Sequence, residues 1–177
     1  MRLEACLLLL TLGAPLTRTA LAEPPEDTRF LGQLAGQWQM QGSVLGKPVR
    51  YHASGRWVLN GAWLELSMAD VARPPQYEAQ LYLGFDGKAH DYVAHWLDRF
   101  GAAGARVVAT GERHGRTLVL NFPYAEGAFR DTLTLAADAD SATLLIEAAK
   151  AEGGWSTFAS YRLQRVPAAA HAPAVQR

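Results

Sequence analysis

The chain has 177 residues, with 17 basic and 17 acidic side chains, a formal charge of zero and 49% hydrophobic residues. That balance offers no overall basic excess to attract nucleic acid or anionic lipid. A single cysteine excludes a fold stapled by its own disulfides, so the burial of apolar side chains, at about 1.5–3 kcal/mol each, has to hold the structure together.

Met1-Arg2, the apolar stretch from Cys6 to Leu16 and the small residues of Thr19-Ala20-Leu21-Ala22 read as an export signal cut after Ala22. The apolar run falls well short of the roughly 20 residues that a membrane-spanning helix needs. Cys6 also lacks the Leu-small-small-Cys context of a lipoprotein. Removing residues 1–22 takes Arg2, Arg18 and Glu4 away and leaves 155 residues with 15 bases and 16 acids, the size of one domain. A periplasmic or secreted location is expected. No later segment is long and apolar enough to span a membrane as a helix.

Residues 23–30 lead into a short helical turn with Phe30, Leu31 and Leu34 on one side. From there the hydrophobic period becomes two. Alternating runs near 37–44, 49–59, 62–70, 77–85, 89–97, 106–113, 116–124, 128–135, 142–149 and 155–165 predict short strands separated by turn signals. Residues 31–165 are therefore expected to form an all-β, antiparallel up-and-down barrel of about 8–10 strands. The Ala/Pro-rich segment 166–177 shows no pattern and reads as a disordered tail.

Asn60-Gly61 is a strong hairpin signal. Folding there sets Trp57 against Leu64, Gly55 against Leu66 and Ala53 against Met68, with Arg56 beside Glu65 and Ser54 beside Ser67 on the other face. A second hairpin at Asp86-Gly87 places Tyr77, Ala79, Leu81 and Leu83 on one face with His90, Tyr92, Ala94 and Trp96. A third, at His114-Gly115, groups Val107, Ala109, Leu118, Leu120 and Phe122. A meander this long is expected to close on itself, because closure removes the edges.

Leu31-Gly32-Gln33-Leu34-Ala35-Gly36-Gln37-Trp38 resembles the opening of lipocalin-like (calycin) barrels, in which a Gly-x-Trp starts the first strand after a helical plug. Trp57-Val58-Leu59-Asn60-Gly61, Leu83-Gly84-Phe85-Asp86, Tyr92-Val93 and Trp96-Leu97-Asp98 look like a bacterial, secreted, lipocalin-like family of unknown function. The resemblance implies that Gly36 and Trp38 close one barrel end under an arginine of the last strand, Arg162 or Arg165, with Arg162 taken first. It also implies an interior that holds a small, largely apolar ligand, and it supplies no reaction. The more distantly similar nitrobindins hold haem through a late histidine. Trp155 to Leu163 contains none and His171 lies in the tail, so no haem is expected.

Motifs of chemistry are sparse. Gly42-Ser43-Val44-Leu45-Gly46-Lys47 is one residue short of a phosphate loop and is followed by Pro48. His90 and His95 sit five apart on one predicted strand and point to opposite faces, so they do not share a metal. Asp138 and Asp140 read as a polar turn. No metal and no cofactor are expected, and no nucleophile with a paired base marks an enzyme. What remains is a set of polar and aromatic groups on inward faces: Tyr51, Trp57, His90, Tyr92, Trp96, Asp131 and Tyr161. Asp131, between Phe129 and Leu133, needs either a neighbouring Arg or Tyr or a ligand to satisfy it.

Small inward residues (Ala53, Gly55, Ala79, Ala94, Ala109, Gly111 and Ala159) suggest a cavity for an apolar or amphipathic molecule. They also fit a packed barrel that makes room for five tryptophans, an envelope scaffold with an apolar outer patch near Val58, Trp63 and Val93. An isomerase or cyclase using His90 or Asp131 is the third reading. The glycine-rich segment 98–105 reads as a mobile loop or a lid over one barrel mouth.

Overall fold

The period-two alternation resolves into ten strands because each run places its apolar residues on one side of a pleated ribbon. The computed structural model describes residues 25–167; the segment 1–22 expected to be an export signal, and the expected tail from residue 168 on, lie outside the described residues. α1 (Glu26–Gly32) is followed by β1 (Gly36–Val44), β2 (Lys47–Val58), β3 (Trp63–Asp70), β4 (Glu78–Asp86) and β5 (Asp91–Asp98). After a 3₁₀ turn at Gly104–Arg106 come β6 (Val108–His114), β7 (Thr117–Phe122), β8 (Phe129–Leu135), β9 (Ser141–Ala149) and β10 (Trp155–Arg165). Every strand pairs antiparallel with its sequence neighbours, and β1 also pairs with β10, so the sheet closes.

The register expected across Asn60-Gly61 is the observed one, whereas at the other two hairpins the face assignment holds but the turns fall later, at 87–90 and at 115–116, with His114 paired to Thr117. Trp57 faces Leu64, Gly55 faces Leu66, Ala53 faces Met68 and Arg56 faces Glu65, the last pair joined at 2.8 Å. The turn itself spans four residues, with Leu59, Asn60 and Gly61 all at positive φ. In the second hairpin Leu81 faces Trp96 and Leu83 faces Ala94, but the turn extends through His90. That residue, at φ 58, donates its N–H to Asp86 O and is exposed. His90 therefore does not lie on the inner face, as the alternation had placed it; the strand begins one residue later, at Asp91.

Trp63 lies on the outer wall, where its ring covers Gly84; an added Cβ there would sit 3.2 Å from the ring. Gly84 pairs with Val93, so Val58, Trp63 and Val93 form a half-buried outer strip rather than a fully exposed patch.

The two barrel ends differ. α1 covers the end where β1 begins and β10 finishes. Phe30, Leu31 and Leu34 are buried in the barrel, as the helical spacing predicted. Gly55 allows the approach, because a Cβ there would collide with the Leu34 carbonyl. Trp57, at the same end, packs its ring against Gly32, and the Trp38 indole donates to Leu34 O at 2.9 Å.

The arginine that covers Trp38 is Arg165, not Arg162. Its guanidinium carbon lies 4.2 Å from the ring centroid, and it donates to Ala35 O at 2.7 Å and Gln33 O at 2.5 Å. Parity decides between the two: inward positions on β10 are Ala159, Tyr161, Leu163 and Arg165, whereas Arg162 is exposed on the outer wall. Gly36 belongs to the same clamp, since a Cβ at its φ of +119° would stand 2.7 Å from the Arg165 guanidinium.

Arg165→Ala is expected to lower unfolding stability by about 2–4 kcal/mol, from a lost cation–π contact and charged hydrogen bonds, while Arg162→Ala stays within about 0.5 kcal/mol of the parent. Urea titration of both variants checks the difference.

Candidate functional site

The inner wall is apolar along most of its height, with Met40, Leu64, Leu66, Leu81, Leu83, Leu118, Leu120, Leu133 and Leu144 all buried. Polar groups on the inner face gather at the two ends.

At the helix end, Asp27 of α1 accepts the Tyr92 hydroxyl at 2.6 Å and Arg113 Nε at 2.9 Å. Arg113 also donates to Glu26 at 2.9 Å, and its guanidinium lies 5.5 Å from the Phe30 ring centroid. Burial alone would raise the Asp27 carboxyl, but the hydrogen bonds from Tyr92 and Arg113, together with the arginine's charge, outweigh it and hold the group below its usual range. Burial first, then the bond to Asp27, pushes the Tyr92 phenol up. This network is satisfied within itself and fixes the plug. Tyr92 and Trp57 therefore sit with the plug, apart from the other predicted site residues.

At the far end, inward positions on β2, β5, β8 and β10 bring Tyr51, Trp96, Asp131 and Tyr161 together, with Tyr77, Asp98, Tyr124, Phe129 and Phe158 around them. The Tyr51 ring lies 5.8 Å from Tyr77 and 5.9 Å from Tyr161. Tyr124 stacks on Phe122 at 5.9 Å and meets Phe129 edge-on at 5.8 Å. Phe129 in turn meets Phe158 at 5.2 Å. Phe158 arrives there through an irregularity in β10: the register shifts between Thr157 and Ala159, leaving an extra residue that re-aims its side chain.

Some of these polar atoms are occupied. Trp96 Nε1 donates to the Tyr77 hydroxyl at 3.3 Å, Tyr77 donates to Asp98 at 3.4 Å, and Asp98 also accepts the Phe100 N–H at 2.9 Å. Asp131 is different. It is only 3% exposed, and burial alone, with no hydrogen bond among the causes, moves its carboxyl. Because no fully enclosed side-chain oxygen among the described residues lacks a partner, its oxygens keep a sliver of contact with solvent. Its chain neighbour Arg130 faces outward and pairs with Glu147 at 2.7 Å. Burial without a compensating partner pushes the Asp131 carboxyl up to about 7. Tyr161, desolvated first and then acted on by Tyr51, Tyr77 and Asp131, is raised well above a normal phenol, and burial raises Tyr124 as well.

Sequence reasoning singled out Tyr51, Trp96, Asp131 and Tyr161 by parity. It omitted Tyr77, Asp98, Tyr124 and Phe158, although Tyr77 already shared a face with Trp96. Phe158 depends on the register shift, which leaves no composition signal. Segment 98–105 borders this end, with the Phe100 ring 5.9 Å from Tyr77. Among the described residues no three His, Cys, Asp or Glu side chains group as metal ligands. Two concavities of about 570 and 510 Å³ lie along the outer wall, the first beside His52, Ser67 and Gln80 and the second beside Gln41, Arg50 and Arg162; their lining residues are mainly outward-facing.

The chain belongs to the family described as "Protein of unknown function (DUF1579)", which matches residues 23–165. The crystal structure of Rv2717c from M. tuberculosis is similar, with a TM-score of 0.56 and 14% identity over 82% of this chain and 100% of that one. At that identity the likeness is one of fold. No curated protein matches the chain.

The buried carboxyl makes stability depend on pH. An unfolded aspartate titrates near ~3.9 and Asp131 in the barrel near about 7. Between those values the folded form holds a proton that the unfolded form has lost, so stability is full below the lower value and falls as pH rises through the upper one. Asp131→Asn should remove this slope and be roughly 4 kcal/mol more stable than the parent at pH ~8. Urea midpoints measured from acid to neutral pH read the effect directly.

Proposed function

We propose that the protein is an exported, lipocalin-like binding barrel that takes a small amphipathic molecule at its far end, with Asp131 receiving the ligand's polar head. The observation that carries this reading is the unpartnered, buried Asp131 carboxyl among tyrosines. An isolated buried carboxyl is costly unless something donates to it, and an ammonium or hydroxyl is the group that would do so. Tyr51, Tyr124 and Tyr161 offer further hydroxyls, while Phe129, Phe158 and the Trp96 ring supply apolar surface for a tail. Export rests on the leader pattern of Met1 to Ala22.

A second reading has its own support. Ten strands make a wider barrel than the eight of lipocalins, yet the wall below the tyrosines is lined by closely buried leucines. A packed envelope scaffold fits that filling. Catalysis by His90 is not supported, since His90 is exposed in a turn.

Calorimetric titration with dodecylamine and with dodecanoate separates the two readings. A ligand site at Asp131 binds the amine at least about tenfold more tightly, because a carboxylate repels the second probe, and Asp131→Asn removes the preference. If neither probe binds, the packed scaffold is the better account.

A further inference from the structure

We infer that the far end of the barrel is a docking surface for an anionic lipid bilayer. Three consecutive connections form one half of that rim: the β1–β2 turn at 45–46, the β3–β4 loop at 71–77 and the β5–β6 loop at 99–107. Each carries an apolar side chain held out in solvent. Leu45 is 69% exposed, Phe100 77% and Val71 38%. Leu45 stands at the tip of its turn with φ 48, a left-handed conformation in which glycine or asparagine is the usual residue. A leucine there presents its side chain outward at a local conformational cost.

The charged side chains within the three connections are all basic, and Lys47 follows the first of them. Lys47, Arg73 and Arg106 are exposed and form no ion pair with any described residue. Arg99 joins them, its guanidinium donating to Pro75 O at 3.2 Å and to Gln76 O, which ties two of the loops together. The three connections contain no Asp or Glu. The acids at their borders include Asp70 and Asp98, which turn onto loop backbone at Ala72 N–H and Phe100 N–H, and Glu78, which starts β4. The other half of the rim carries Glu126 and Glu152 with Lys150, and the helix end carries Glu26, Asp27, Asp138 and Asp140. A neutral chain thus concentrates unpaired cations next to exposed Leu, Val and Phe. That combination suits an interface where apolar groups enter the headgroup boundary and cations meet lipid phosphates. The inference does not depend on a ligand occupying the barrel.

The test is flotation of the protein, purified from its own host, with vesicles of phosphatidylcholine alone and vesicles containing about one-third phosphatidylglycerol. Binding to the anionic vesicles at least about tenfold above the neutral ones is expected, falling with salt. Arg73→Gln with Arg106→Gln should weaken it about twenty-five-fold, at about fivefold per charge. Leu45→Asn with Phe100→Ser should weaken it about tenfold. Lys88→Gln, at the helix end, should leave it unchanged. Equal binding to both vesicles, no binding to either, or binding indifferent to both rim pairs overturns the inference; a protein partner for this rim would give the second result. If a double variant fails to fold, the single Lys47→Gln carries the charge test, with about a fivefold loss expected.

Discussion

Closure of the sheet by β1 against β10 is the constraint on which the remaining features depend. It joins residues far apart in sequence, with Trp38 directly opposite Arg165. An open ten-strand meander would leave two rows of unpaired backbone groups as templates for aggregation. In the closed ring each inward side chain instead shares one finite interior. The clamp at Trp38 also makes the ends unequal: Arg165 reaches the carbonyls of Gln33 and Ala35, so the contact that closes the ring also holds the connection from the helix. The end without a helix is left to aromatic side chains.

That asymmetry explains why the buried polar groups behave differently. Near the helix, Asp27, Tyr92 and Arg113 satisfy one another, and an extra element supplies the acid for an inward arginine. At the far end no second element among the described residues brings an equivalent donor to Asp131. Replacing Asp131 with an apolar residue would remove a desolvation cost, so its presence calls for a reason outside the stability of the wall.

Much of the fold was legible because alternation is a parity signal, and parity survives errors in turn length. The register across Asn60-Gly61 followed from matching Trp57 with Leu64 and Arg56 with Glu65, whether the turn held two residues or four. Parity fails at strand ends, where the turn takes a residue back. His90 was misplaced for that reason: its inward-looking position lies within a four-residue turn. The preference for Arg162 over Arg165 had a different origin, since inward Tyr161 and Leu163 already implied Arg165. Phe158 and the Asp27–Arg113 bond were not readable, the first because a register shift has no composition signature, the second because it joins a helix to a strand 86 residues away. Asp131 was legible as a problem, but its lack of a partner required the geometry of Arg130 and Glu147.

Antiparallel pairing of an even number of strands has one more consequence. β1 starts and β10 finishes at the helix end, so the chain enters and leaves the barrel through the same pole. A tether attached at Val166, just past β10 and bonded to Gln37 O, would stand behind the molecule rather than across its aromatic face. Immobilised in that way, the barrel would present Leu45, Phe100 and the tyrosines beneath them outward, toward whatever is offered in solution.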